Sequence, residues 1–402
     1  MNVNFHISKD KCIACRSAQF LQFYELKKCV SFAKNETMVF DQRLECCYSC
    51  GLVRQEINET YLDKKLAKYY NKSFRTPLHP PILNKADKRV QNARKRLQFI
   101  KKFKSSGTLL EIGFGDGVFL GLAAKSFLCS GLDPSAGYDY LYEHLVNKDI
   151  EISNKPLDKF SSNKKFDIVC SFLVLEHIKD PLAFIKLQIK YLSPGGILVI
   201  EVPDINKYAF FNSESVITHE HLYHYCIESL SLLLSQINLE LIASNNKDIS
   251  YGFSLIAAFR VKRKINPPTT TSGFRVLNIF QDFLQLRKRY RQQMTMGIGN
   301  IIKVARSKKQ KVAVYGTGFL FYYALDNGAL KIHDIDLLFD DTEEKLGSAI
   351  SGRIINPLAE IKKHNPGVVL IFSEMFFEPM KQNVLSALKK NIPILNIHQL
   401  SI

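Results

Sequence analysis

The chain has 402 residues, of which 46% are hydrophobic and 23% charged, and a net charge of +17. This length suits two or three domains, each able to bury its own core, and the composition excludes a disordered or fibrous chain. The surplus of lysine and arginine admits nucleic acid, an anionic membrane surface or a phosphorylated small substrate as partner. The basic clusters at Lys85–Lys104 and Arg287–Lys311 carry no RNA-binding signature, so solvated lysine is the simpler reading and no nucleic-acid partner is expected. No apolar run approaches the roughly 20 residues of a membrane span, and Met1–His6 lacks the apolar core of a signal peptide. Nine cysteines without an export signal point to a reducing cytoplasm, where paired cysteines hold metal more often than they form disulfides.

The first segment, residues 1–62, carries Cys12-x-x-Cys15 and Cys47-x-x-Cys50. Each pair can sit on a knuckle turn and offer two thiolates to one tetrahedral ion, and four sulfur ligands leave no open position for chemistry. Gly51 suits such a turn, and the 31 residues between the pairs require a strand excursion. Cys29 and Cys46 are left over, and Cys46 beside Cys47 leaves the second knuckle ambiguous. Cys12, Cys15, Cys47 and Cys50 are therefore the expected ligands of a structural Zn²⁺. Residues 63–105 read as a basic helical lead-in interrupted by Pro77, Pro80 and Pro81.

Leu109, Leu110 and Ile112 then supply a strand, and Glu111-Ile112-Gly113-Phe114-Gly115-Asp116-Gly117 turns into a helix beginning near Val118. A backbone without Cβ atoms at a helix N-terminus lets a ligand lie against the turn. Asp133, 22 positions after Glu111, ends the next strand, where a carboxylate can accept both hydroxyls of a ribose. A dinucleotide site would have Gly-x-Gly-x-x-Gly. Here the third glycine comes one residue early and an acidic residue opens the segment, which suits a cationic ligand better than a pyrophosphate. The segment resembles motif I of the class I S-adenosylmethionine (AdoMet) methyltransferases. Phe166–His177 resembles the fourth strand and post-strand segment of those enzymes, and Leu192–Ile200 their fifth strand. The resemblance implies a doubly wound α/β sheet, with Glu111, Gly113, Gly115, Gly117, Asp133 and Leu173 around the cofactor. In many such enzymes the lead-in, here with Tyr69, Tyr70 and Arg75, folds over the cofactor. The methyltransferase domain with its lead-in is expected over 63–265, its last strands at Leu239–Ala243 and Phe253–Val261.

After Glu201-Val202-Pro203-Asp204 comes Thr218-His219-Glu220-His221-Leu222-Tyr223-His224-Tyr225. In a class I methyltransferase this segment lies at the carboxyl edge of the sheet. Imidazole titrates near neutral pH and is a natural general base, and a neighbouring glutamate can fix its tautomer. A zincin helix is excluded, because Tyr223 stands four residues after His219.

Asn266–Gly273 is composed as a linker, followed by a helix over Val276–Ser307. Lys311–Gly318 reads as a strand and glycine turn, Ile335–Asp341 as a strand ending in acids, and Val368–Phe372 and Ile392–Ile397 as further strands. Residues 266–402 thus form a Rossmann-like α/β domain, with Phe321 where a dinucleotide site needs its third glycine.

The combination of two CxxC pairs, a class I core, a His-Glu-His segment and a C-terminal Rossmann-like unit resembles the three-domain sugar-nucleotide C-methyltransferases of deoxysugar biosynthesis. Cys47–Val53 matches their second zinc knuckle, and Phe339–Gly347 their acidic-then-Lys-x-Gly segment. The resemblance implies a nucleoside-diphosphate-linked 4-keto sugar methylated at C3. His221 would remove the C3 proton, with Glu220 and His219 beside it, before the enolate attacks the sulfonium methyl. Thr218 replaces the family's tyrosine, the turn Tyr315-Gly316-Thr317-Gly318 departs from its Tyr-Gly-Ala pattern, and Tyr251–Leu255 stands for its Gly-Gly-Ser-Leu. These departures touch the acceptor side, so an O- or N-methyltransferase on another glycan precursor is the alternative. A zinc-containing RNA methyltransferase and a non-catalytic AdoMet-binding scaffold are further rivals.

Overall fold

A computed structural model describes residues 3–33, 36–56, 88–134, 149–210, 217, 220–247, 253–266, 270, 273–326, 328–373 and 377–396. The expectations for Tyr69, Tyr70, Arg75, Thr218, His219, Tyr251 and Gly252 lie outside them. The chain divides into two compact units, Met1–Phe283 and Leu284–Ile402.

In the first unit, β1 (Asn4–Ile7), β2 (Gln19–Ala33), β3 (Glu36–Cys47) and β4 (Val53–Glu56) form an antiparallel meander. The β2–β3 hairpin is the strand excursion expected between the cysteine pairs. A seven-stranded sheet follows, built from β5 (Gly107–Ile112), β6 (Phe127–Leu132), β7 (Glu151–Ser153), β8 (Phe166–Phe172), β9 (Leu192–Pro203), β11 (Leu239–Asn245) and β12 (Ser254–Val261), in the order β11-β12-β9-β8-β5-β6-β7. The strands from β9 to β7 run parallel, and β12 inserts antiparallel between β9 and β11. This is the class I methyltransferase sheet.

Both sheet faces are apolar, as a parallel sheet covered on two sides requires. Leu110 and Ile112, Val169, and Leu198 with Ile200 and Val202 join the core beneath α3 (Pro181–Ile189) and α4 (Ile227–Ser235). Leu109, Ile168 with Cys170, and Ile197 with Val199 alternate onto the opposite core, under α1 (Lys88–Lys101) and α2 (Val118–Ala123). Cys12, Cys47, Cys50 and Leu52 belong to the first of these cores. Gln236, just past α4, donates from Nε2 to the carbonyls of Ile13 (2.7 Å) and Ala14 (3.0 Å). The cysteine sheet is therefore docked on the methyltransferase sheet. A short strand, β10 (Tyr223–His224), leaves the histidine segment and pairs antiparallel with β4, Tyr223 opposite Arg54 and His224 opposite Val53. Sequence periodicity gave no sign of this pairing.

Helix α5 (Gly273–Ser307) begins in the first unit, three residues before the sequence boundary. A Cβ on Gly273 would stand 2.5 Å from the Cys47 carbonyl oxygen, so glycine is what lets the helix start there. In the second unit, β13 (Val312–Tyr315), β14 (Leu337–Phe339), β15 (Ala349–Ile350), β16 (Arg353–Asn356), β17 (Val368–Ile371) and β18 (Ile394–Asn396) take the order β15-β16-β14-β13-β17-β18. All neighbours are parallel except the β15–β16 pair. Phe321, in α6 (Phe319–Asp326), is fully buried under this sheet. At the carboxyl end of β14, Asp340 accepts from the Thr317 amide (2.8 Å) and hydroxyl (2.7 Å) and from Lys345 Nζ (3.0 Å). Among the described residues, no helix is long and apolar enough to cross a membrane.

Candidate active site and cysteine cluster

The glycine turn after β5 forms because three alternate positions need positive φ: Gly113 at 77°, Gly115 at 55° and Gly117 at 69°. A Cβ on Gly113 would meet Val174 Cγ2 at 2.5 Å. Gly117 caps α2 in the left-handed conformation. The Gly115 amide donates to Asp133 Oδ2 at 2.8 Å, so the acidic end of β6 is tied across the turn. Leu173, at the end of β8, holds φ of 55°, a strained backbone for a branched side chain of the kind that clusters at ligand sites.

Glu111, Gly113 and Leu173 line one cleft with Phe114, Asp116 and Phe119. Glu111 is 2% exposed and its Oε2 is buried without a hydrogen-bond partner. Burial pushes its carboxyl well above the ordinary value, with Asp116 and Asp133 adding and Arg96 opposing. An unsatisfied buried carboxylate beside a Cβ-free turn fits a ligand that carries positive charge and packs close to backbone. AdoMet has both properties.

Helix α1 supplies cleft residues the sequence did not single out, Arg89, Ala93 and Arg96. Arg96 Nε donates to Glu201 Oε2 at 2.5 Å, and its guanidinium lies 4.6 Å from the Phe172 ring centre. Glu201 is fully buried and also accepts from Ser254 Oγ at 2.6 Å. The only sequence signal was the excess of arginine in the lead-in.

Three and four residues beyond Leu173, Glu176 and His177 stand in a 3-10 turn. Leu222 N–H donates to the Glu176 carbonyl (2.8 Å), and Gln55 N–H donates to that of Leu222 (2.9 Å). These bonds bring His221 beside His177, ring centres 4.9 Å apart, and His224 6.0 Å from His221. His224 is 1% exposed, and burial, then His221, hold it well below the usual imidazole value. Its Nδ1 pairs with the Tyr208 hydroxyl at 2.8 Å. Of the expected trio, His221 and Glu220 lie in this cluster, Glu220 through its carbonyl oxygen 3.1 Å from His177 Nδ1. His219 lies outside the described residues.

The four cysteines converge. Cys12 and Cys50 sulfurs are 3.5 Å apart, Cys15 and Cys47 3.4 Å, and all four lie within 4.8 Å of one another. Sulfurs bound 2.3 Å from one tetrahedral zinc would be roughly 3.8 Å apart, so the cluster fits that ion. The two knuckles repeat each other: the Arg16 and Gly51 amides donate to the Cys12 and Cys47 carbonyls, both at 2.9 Å. Arg16 and Gly51 take positive φ of 65° and 73°. Cys46 turns away from the cluster and donates to the Gly273 carbonyl at 3.6 Å, which resolves the ambiguity of the second knuckle.

A family described as a methyltransferase domain matches residues 85–244. The ubiquinone biosynthesis O-methyltransferase, mitochondrial, of Dictyostelium discoideum is 25% identical over 169 residues, 40% of this chain and 48% of that protein. The chain thus spans about half the length of this curated relative. Among solved structures, the CcbJ methyltransferase from Streptomyces caelestis is similar at 14% identity and a TM-score of 0.36, over 42% of this chain and 90% of that one. An S-adenosylmethionine-dependent methyltransferase from Clostridium acetobutylicum is similar at 12% identity and a TM-score of 0.35, over 50% and 98%. The family match places a methyltransferase domain at residues 85–244, the stretch that holds the glycine turn and most of the seven-stranded sheet described above.

Proposed function

We propose that the chain methylates C3 of a nucleotide-linked 4-keto deoxysugar, using AdoMet, with Cys12, Cys15, Cys47 and Cys50 holding a structural Zn²⁺. The observation that carries the cofactor half is the buried, unsatisfied Glu111 carboxylate beside the glycine turn. In this reading Glu111 with Gly113, Gly115 and Gly117 shapes the methionine side of the cleft, Asp133 takes the ribose, and Leu173 borders the path toward the methyl group. AdoMet supplies an electrophilic methyl when bound.

His221 takes the C3 proton of the sugar, and the electron pair left behind delocalises onto the 4-keto oxygen as an enolate. Glu220 and His219 assist by orienting and polarising His221. The enolate carbon then accepts the methyl in an in-line displacement, to which fixed geometry contributes as much as the base. His177 stands against His221, so the base is held within a packed imidazole pair rather than on a free loop.

The resemblance to a ubiquinone O-methyltransferase favours a second reading, an oxygen acceptor. One experiment separates the two: labelled AdoMet with a panel of nucleoside-diphosphate 4-keto sugars in deuterated water. Methylated product, with solvent deuterium entering C3 when AdoMet is withheld, is the expected outcome. Cofactor binding without product or exchange across the panel would move the acceptor to oxygen or nitrogen.

A further inference from the structure

Glu176, His177 and His221 come from two segments, the 3-10 turn after β8 and the stretch before β10. One ligand-capable atom of each lies within 4.8 Å of the others. His177 Nδ1 faces the Glu220 carbonyl at 3.1 Å. A carbonyl oxygen only accepts, so Nδ1 bears a hydrogen, and in the neutral ring Nε2 presents its lone pair. That atom lies 3.7 Å from Glu176 Oε1, and Glu176 is 1% exposed. A lone pair and a carboxylate oxygen at this distance can share a proton or a cation.

We propose that Glu176, His177 and His221 bind a divalent transition-metal ion, separate from the ion of the four-cysteine cluster. Two imidazoles and one carboxylate form a set suited to zinc, iron, cobalt or nickel and unsuited to calcium or magnesium, which take oxygen ligands. The His177 Nδ1–H bond to a backbone carbonyl is the outer contact that fixes the tautomer of a metal-bound histidine. Bonds of about 2.1 Å place ligand atoms roughly 3.0–3.4 Å apart, so the three side chains close inward by about 1 Å. The His177 side chain is 12% exposed, which leaves an entry path, and three protein ligands leave positions open for water or an oxygen-bearing substrate. One consequence rests on the reading above: an ion on His221 holds the lone pair the base needs, so metal in excess of the cysteine cluster inhibits proton abstraction from C3.

The test needs no substrate and so stands apart from the identity of the acceptor. Full-length protein with its cysteine cluster filled by Zn²⁺ is titrated with Co²⁺ alone and followed by visible absorption. One further equivalent of cobalt is expected to give ligand-field bands without the near-ultraviolet thiolate charge-transfer band that marks cysteine ligation. His177→Ala and Glu176→Gln are each expected to weaken cobalt binding at least about a hundredfold, while keeping zinc in the cysteine cluster and an unchanged far-ultraviolet circular dichroism spectrum. His177→Asn provides the measurement if either variant fails to fold. Absence of cobalt bands in the unaltered protein, or bands that survive these substitutions, would overturn the proposal.

Discussion

Arg96→Met tests the contact that joins α1 to the sheet. Glu201 is fully buried, and Arg96, with its side chain 13% exposed, donates to it at 2.5 Å. Methionine keeps most of the apolar packing against Phe172 but supplies no donor. Ser254 Oγ remains on Glu201 Oε1, and the other oxygen becomes a buried acceptor without its cation. Breaking a buried pair from one side costs about 3–5 kcal/mol; the partial exposure of Arg96 puts this site near the low end, with about 0.5–1 kcal/mol of cation–π attraction to Phe172 lost in addition. The assay is urea unfolding of the full chain, following the transition of the Met1–Phe283 unit. Its midpoint is expected to fall by the equivalent of about 3–4 kcal/mol with an unchanged slope. Arg96→Met/Glu201→Leu, which removes both charges, is expected to recover most of that loss, because the penalty lies in the uncompensated carboxylate. A single substitution costing under about 1 kcal/mol, or a double variant as unstable as the sum of its singles, would refute the reasoning. Arg96 also opposes the burial that raises Glu111, so Arg96→Met is expected to weaken AdoMet binding as well, read by calorimetry.

His221→Asn is expected to leave AdoMet affinity near normal and lower turnover by about 10²–10⁴, the usual worth of a positioned base; equal turnover would remove His221 from the mechanism. Gly113→Ala brings a Cβ to 2.5 Å from Val174 Cγ2 at a φ of 77° and is expected to cost about 1–2 kcal/mol in backbone strain together with cofactor affinity. Val174→Ala in that background should restore only the steric part, and full recovery in thermal unfolding would show that φ is not the constraint. Burial disfavours the ionised form of Asp340, but Lys345 and hydrogen bonds from Thr317 and Thr342 outweigh it and hold its pKa at about 2. A depressed carboxylate contributes stability that is complete above the unfolded value near 4 and lost as pH falls through 2, roughly 2 kcal/mol in all. Asp340→Asn should flatten the acid limb of the second unit's stability between about pH 4 and 2, and an unchanged limb in a melting series would contradict this. Cys12→Ser/Cys47→Ser is expected to abolish bound zinc by elemental analysis and unfold β1–β4; a folded N-terminal sheet with no metal would exclude a structural ion.

The parts legible in the sequence are those whose chemistry is local. A strand, three glycines and an acid one strand later are demanded by backbone sterics, so Glu111, Gly113, Gly115, Gly117 and Asp133 announce themselves without knowledge of the rest of the chain. The second knuckle was legible for the same reason, through Gly51. The first was legible only through its cysteines, because Arg16 occupies the matching left-handed position that glycine would have advertised. Contacts across long separations left no such trace. Arg96 and Glu201 are 105 residues apart, and either alone reads as an ordinary charge on a helix or at a strand end.

The histidine segment shows why the site was harder to read than the fold. Its density of imidazoles is visible in sequence, but its position depends on Leu222, an unremarked apolar residue. The Leu222 amide bonds the turn after β8, and its carbonyl receives the Gln55 amide of β4. His221 is therefore held between the methyltransferase sheet on one side and the sheet that carries the cysteine cluster on the other. Tyr223 and His224 extend the same attachment as β10. The ion proposed for the four cysteines would have no open position with which to act on a substrate, yet by stiffening β3 and β4 it would fix the edge on which the histidine segment hangs. The N-terminal cysteines and the central histidines, read separately as structure and chemistry, are in this chain two ends of one hydrogen-bonded path.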